Sequence, residues 1–150
     1  MDRLLNISDR TNAALHALAL AVRAEEPITA SGAARRLGVS PSYLAKVLQP
    51  LAKAGILASS RGAAGGFTLA REARGISALE VLELLDGEIP ARDCLFAKSV
   101  CPRGSCALKR LCDDMADAAR RVLGSTSVAD LARSFQDSGA RSASGPSRIT

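Results

Sequence analysis

Apolar residues at Ala14, Leu15, Leu18 and Val22 recur with helical spacing, behind a capping Ser8 and an acidic Asp9 that suits the first turn. This predicts a first helix that ends before Pro27. Ala33, Ala34 and Leu37 predict a short second helix over about residues 30–37, closed by Gly38. Ser40 then caps a third helix with Pro41 at its first position, where the missing N–H costs nothing. Leu44, Val47, Leu48 and Leu51 form its apolar stripe, Pro50 predicts a kink or the end of its regular part, and Gly55 closes it. Two short apolar runs, 56–60 and 67–70, flank a Gly-rich tip and read as a β-hairpin. Ser77 caps a fourth helix to about Asp86, carrying Leu79, Val81, Leu82 and Leu85. From about Cys106 a long helix runs to Leu123, with Leu108, Leu111, Met115, Ala118, Ala119 and Val122 on one stripe. A last short helix runs from Ser127 through Phe135, and the small, polar residues 137–150 read as a disordered tail.

The order helix, helix, helix, hairpin is that of a winged helix-turn-helix. In that layout the first turn of the third helix points Ser42, Tyr43 and Lys46 into a major groove. The hairpin tip carries Arg61 to a minor groove, with Gly62 and its neighbours allowing close backbone approach to phosphates. Each of these residues also has an ordinary reading, Tyr43 as a packing residue and Lys46 as a solvated lysine. The charge favours the first half as the polyanion-facing one. The formal net charge is +5; residues 1–75 hold 10 Lys/Arg against 5 Asp/Glu and residues 76–150 hold 10 against 10.

Composition adds that Ala and Leu carry the apolar load, aromatics being only 3%, which favours a mainly α fold. The apolar run 13–22 is too short to span a bilayer, and no secretory leader precedes it, so a cytoplasmic protein without membrane association is expected. In that reducing compartment the four cysteines gain meaning. Cys94, Cys101, Cys106 and Cys112 fall within nineteen residues, and the chain has no others. Clustered cytosolic thiols point to metal or cluster ligands, or to a redox sensor, ahead of structural disulfides. A cysteine-dependent enzyme is disfavoured, because the single His16 lies inside the first helix with no triad-like partner.

The stretch 39–71, and above all its wing Ser-Arg-Gly-x-x-Gly-Gly-Phe-x-Leu-Ala-Arg, resembles the winged-helix regulators of the IscR/NsrR type. A cysteine triplet followed by Ala-Leu and a long helix is the second signature, and the resemblance runs from about Ile7 to about Leu131. It implies a homodimer on a palindromic double-stranded DNA operator, not an enzyme, and in most cases a repressor. The implied layout is a DNA-binding domain over 1–75, then a cysteine loop and dimerisation helix over 76–136, then the tail 137–150. Ser40, Ser42, Tyr43, Lys46 and Arg61 match the family's DNA-contact positions.

The resemblance also implies an iron–sulfur cluster, 2Fe–2S or 4Fe–4S, on Cys94, Cys101 and Cys106, sensing iron, redox state or nitric oxide. The spacing departs slightly, with six and then four intervening residues. The fourth ligand is open. IscR-like members place a His where Lys109 stands, and NsrR-like members an Asp where Asn12 stands. Asp9 and His16 lie on the same helix as Asn12. Cys112 is six residues beyond Cys106, which on one regular helix puts it ~120° away with a rise of ~9 Å, so it reads as a buried thiol unless the helix starts after Cys106. A structural zinc site and a metal-free thiol switch on the same DNA-binding half are the alternatives.

Overall fold

A computed structural model describes residues 7–62, 65–89 and 106–141 of the 150-residue chain. The elements are α1 (Asp9–Arg23), α2 (Ala30–Leu37), α3 (Pro41–Lys53), β1 (Leu57–Ser60), β2 (Gly66–Leu69), a 3-10 turn (Ala73–Gly75), α4 (Ala78–Asp86), α5 (Ala107–Ser125) and α6 (Val128–Arg141). Side-chain caps start most of the helices. Ser8, Ser40 and Ser77 each accept a hydrogen bond from the backbone N–H three residues on, at 3.1–3.2 Å. Thr29 caps α2 in the same way, accepting from the Gly32 N–H at 2.9 Å.

Gly38, at φ 68°, reverses the chain between α2 and α3, and the Val39 N–H returns to the Ala34 carbonyl at 3.1 Å. This makes the tight turn of a helix-turn-helix. α3 does not stop at Pro50. It continues to Lys53, and the Pro50 carbonyl accepts from the Ala54 N–H at 2.9 Å. Proline removes one donor to the Lys46 carbonyl, and Lys46 is exposed, so water can replace that bond.

β1 and β2 pair antiparallel, with Leu57 opposite Leu69 and Ser60 opposite Gly66. A third segment steadies this hairpin, because Ile28 and Phe67 exchange both backbone hydrogen bonds at 3.0 and 2.8 Å. Glycine is required at 66 by space, since a Cβ there would lie 2.6 Å from the Ile28 carbonyl oxygen.

The main core lies among α1, α2, α3, the hairpin, α4 and α6. Leu18, Leu44, Leu48, Leu51, Ile56, Ile76, Val81 and Val128 are all at most 1% exposed. Each such side chain contributes roughly 2 kcal/mol relative to exposure. α6 extends to Arg141, past the expected Phe135 and into the segment read as tail. Ser127 and Asp130 form a reciprocal cap, with the Ser127 N–H donating to Asp130 Oδ2 at 2.9 Å and the Asp130 N–H to Ser127 Oγ at 3.1 Å. α6 then packs along α1. A smaller cluster of Leu82, Ile89, Ala116 and Ala119 joins α4 to α5.

α5 carries its expected stripe differently. Cys112, Ala116 and Ala119 face inward, whereas Leu108, Leu111, Met115 and Val122 are 40–62% exposed. The small side chains let α5 approach α4, and that turns the large ones outward. Among the described residues, no helix is long and apolar enough to cross a membrane.

Candidate nucleic-acid interface and cysteine segment

The buried stripe of α3 leaves Ser42, Tyr43, Lys46, Gln49 and Lys53 on its exposed face. Gln49, one turn beyond Lys46 on that face, was missed by the sequence reading, although its spacing marks it. Ser40 Oγ is committed to the Tyr43 N–H at 3.2 Å and lies 3.4 Å from Ser42 Oγ. Ser40 therefore fixes the first turn and Ser42 remains available. At the wing, Arg61 is exposed, Gly62 takes φ 109°, and the Gly65 N–H closes the tip on the Gly62 carbonyl at 2.9 Å. Only glycine accepts that φ without strain.

The electrostatics of this unit are one-sided. From Pro27 to Arg71 the chain holds six Lys/Arg and no Asp or Glu. All six, Arg35, Arg36, Lys46, Lys53, Arg61 and Arg71, are exposed. Among the described residues only Arg71 has an ion-pair partner, Glu80. An uncompensated cationic surface on a helix-turn-helix with a wing is suited to the phosphates of a duplex.

Asp9, Asn12 and His16 come together on one face of α1. With Ala13, Leu37, Val39 and Tyr43 they line a cavity of about 550 Å³. His16 Nδ1 donates to the Asn12 carbonyl at 2.8 Å, so Nε2 is the ring nitrogen not engaged in that bond. The His16 ring also meets Phe135 edge to face, with centroids 5.0 Å apart. The structure therefore sets three of the four candidate fourth ligands beside Tyr43, at the start of α3, and Cys112 does not line this cavity.

Cys106 is the N-cap residue of α5, half-buried, with extended backbone. The regular helix starts after it, so helical rotation no longer separates Cys106 from Cys112. Burial does the separating: Cys112 is 6% exposed, a core environment. Cys94 and Cys101 lie outside the described residues. Among the described residues, no three His, Cys, Asp or Glu side chains gather as a metal site.

The α4 end of the segment that carries the cysteines is anchored twice. Arg120 donates to the Ile89 carbonyl and pairs with Asp117 at 2.9 Å. Asp86, at the end of α4, accepts from the Ser8 N–H at 3.0 Å and the Ser8 hydroxyl at 2.6 Å, while Arg10 donates to the Leu85 carbonyl at 3.0 Å. This ties the start of α1 to the end of α4. Burial opposes the Asp86 charge, but the Ser8 hydrogen bonds and the Arg10 guanidinium outweigh it and hold the carboxyl below the usual range.

A lowered pKa in the folded state gives stability that is present above the unfolded pKa and lost as pH falls through the folded one. Asp86→Asn is therefore expected to lower stability at neutral pH by about 1 kcal/mol, the group being largely exposed. The deficit should shrink toward zero below about pH 4. Denaturant unfolding of parent and variant at both pH values measures it.

Residues 7–134 match the Rrf2 family, described as an iron-dependent transcriptional regulator. The chain is 34% identical over 110 residues to Protein rrf2 of Nitratidesulfovibrio vulgaris, covering 73% of each. It is 32% identical over 130 residues to the HTH-type transcriptional repressor NsrR of Streptomyces coelicolor, covering 86% of this chain and 87% of that one. Among solved structures, CymR, the global cysteine regulator of B. subtilis, superposes with a TM-score of 0.69 at 30% identity, covering 86% of this chain and 97% of that one. The oxidised form of Staphylococcus aureus CymR superposes with a TM-score of 0.70 at 30% identity, over 85% of this chain and 96% of that one.

Proposed function

The chain belongs to the Rrf2 family of iron-dependent transcriptional regulators, and is a DNA-binding regulator rather than an enzyme; from that premise we propose a homodimeric repressor that senses iron, redox state or nitric oxide. The observation that carries the DNA-binding half is the acid-free stretch 27–71 with its six exposed cations. Ser42, Tyr43 and Lys46 read the major groove, Ser40 holds the first turn against the backbone, and Arg61 with Gly62 enters the minor groove.

The dimer is supported by α5. Leu108, Leu111, Met115 and Val122 put four large apolar side chains on one exposed helix face, at 51, 50, 40 and 62% exposure. A second copy of the same helix is a self-complementary cover for such a stripe. Twofold symmetry then calls for a palindromic operator with half-sites at fixed spacing.

The sensor is supported by donor chemistry. Three thiols in one short segment, Cys94, Cys101 and Cys106, fit a soft-ligand iron–sulfur cluster. When bound, such a cluster supplies a centre sensitive to oxidants, iron supply and nitric oxide. Cys106 stands at the positive end of the α5 dipole, which favours an anionic ligand atom there. It also adjoins the first residue of the dimer helix, and Arg120 fixes the far end of the segment to the same helix. Asp9 and His16 carry better donors for a fourth position than the Asn12 amide, and Cys112 is buried in the core. A second reading, a metal-free thiol switch, draws support from the likeness to the oxidised form of S. aureus CymR.

Anaerobically purified protein should be coloured and contain iron and acid-labile sulfide, and the Cys106→Ala variant should lose both. Zinc without sulfide would establish a structural metal instead, and a metal-free, DNA-competent protein with a reversible disulfide would establish the thiol switch. Arg61→Ala should weaken operator binding and reduce the slope of log affinity against log salt by about one unit if it neutralises a phosphate. Fluorescence anisotropy across a salt series reads this, and an unchanged affinity and slope removes Arg61 from the interface. Leu111→Lys should shift the protein from dimer to monomer in sedimentation equilibrium while leaving its helical circular dichroism intact.

A further inference from the structure

Away from α3, the end of α1, the 3-10 turn and α6 border a second, open cavity of about 400 Å³, lined by Val22, Arg23, Arg74, Ala129, Ala132 and Arg133. Its size lies in the range of small-ligand clefts, about 300–1,000 Å³. Among the described residues, three guanidinium-bearing side chains from three separately positioned elements line it, and no carboxylate does. Arg133 pairs with Asp130. That carboxylate also accepts two hydrogen bonds from Ser127, at 2.9 and 2.6 Å. Arg23 and Arg74 are exposed and have no ion-pair or hydrogen-bond partner among the described residues. Val22, Ala129 and Ala132 give the recess an apolar floor.

We infer that this recess binds a small multivalent oxyanion of the phosphate class. Like charges gathered around one depression repel one another until an anion neutralises them, and their fields add on whatever sits between them. Arginine adds geometry to charge, because its planar fork donates two parallel hydrogen bonds to phosphate-type oxygens. The recess is built differently from the duplex-facing surface. Its lining comes from α6, the 3-10 turn and the last turn of α1, and it shares no residue with the cavity at Tyr43. A single phosphate group reaches into such a recess, whereas a duplex backbone presents its phosphates along a convex line. Bound there, the anion ties Arg74, just past the wing, to both terminal helices. The inference stands apart from the cluster and from the operator.

Isothermal titration calorimetry of the full chain with inorganic pyrophosphate, at constant ionic strength, tests it. Saturable binding of one anion per chain is expected. Arg23→Ala and Arg74→Ala should each weaken it roughly tenfold, because a charge-assisted hydrogen bond is lost. Neither residue has a hydrogen-bond or ion-pair partner among the described residues, so unfolding curves of the variants should match the parent. Arg121→Ala, on α5 away from the recess, should bind pyrophosphate as the parent does. No saturable heat at millimolar pyrophosphate overturns the inference, as does equal binding by the double variant. If pyrophosphate binds neither protein but the double variant shows a reduced salt slope on duplex DNA, the arginines are backbone contacts, and the inference falls.

Discussion

Ala14, Ala17 and Leu18 of α1 are at most 1% exposed, and α2, α3, α4, α6 and β2 all pack against this helix. Alanine is what makes such crowding possible. Helix axes approach to about 8 Å where the contact residues are small, and about 10 Å where they are large. A 15-residue helix with seven buried positions cannot slide or rotate without opening the contacts on every side. The reading helix, the wing and the returning C-terminal helix are thus all referenced to one central rod. The low aromatic content follows from the same constraint, since this core is filled by Ala, Leu, Ile and Val at short range.

Against that rigid reference the charges are sorted by face. Several carboxylates do structural work: Asp86 on the Ser8 cap, Asp130 on the Ser127 cap, Asp117 on Arg120. The stretch from Pro27 to Arg71 has none. Self-repulsion among its exposed cations is modest in water and screened by salt, so the fold tolerates it. The arrangement keeps the field of the helix-turn-helix and wing uncompensated while the remainder of the chain is balanced.

Most of the fold was legible because its signals are local. Ser8, Ser40 and Ser77 announce helix starts, Gly38 and Gly55 announce their ends, and the period of α3 shows through despite Pro50. What was not legible depends on partners distant in sequence. Nothing local reveals that Ile28 adds a third segment to the hairpin, or that Gly66 is needed for that approach. The stripe of α5 was read correctly as apolar, but which face turns inward is decided by the fit of Ala116 and Ala119 against α4. The reach of α6 to Arg141 was hidden by the small, polar composition of its last residues. At the candidate site, the exposed positions of Ser42, Tyr43 and Lys46 on α3 and of Arg61 at the wing were legible from the layout, whereas the gathering of Asp9, Asn12 and His16 next to Tyr43 requires the crossing of α1 and α3.

That crossing bears on how a signal at the cysteines would reach DNA. α5 has two unlike faces. The inward one, built of small side chains, holds it close to α4, and through Asp86 and Ser8 α4 is joined to the start of α1. The outward one is free for a second copy. Two discrete arrangements are what coupling between distant sites requires, and closely packed helices supply them better than loops do, because packed interfaces shift in steps. α4 is held to α1 by buried Val81 and Leu85 in the main core as well as by the exposed Ser8–Asp86 bonds. In the proposed dimer, the compliant joint is the smaller cluster of Leu82, Ile89, Ala116 and Ala119 between α4 and α5, which stands apart from the main core. The unit formed by α1, α2, α3 and the wing would move as one body, so that spacing between the two reading helices changes while the shape of each does not.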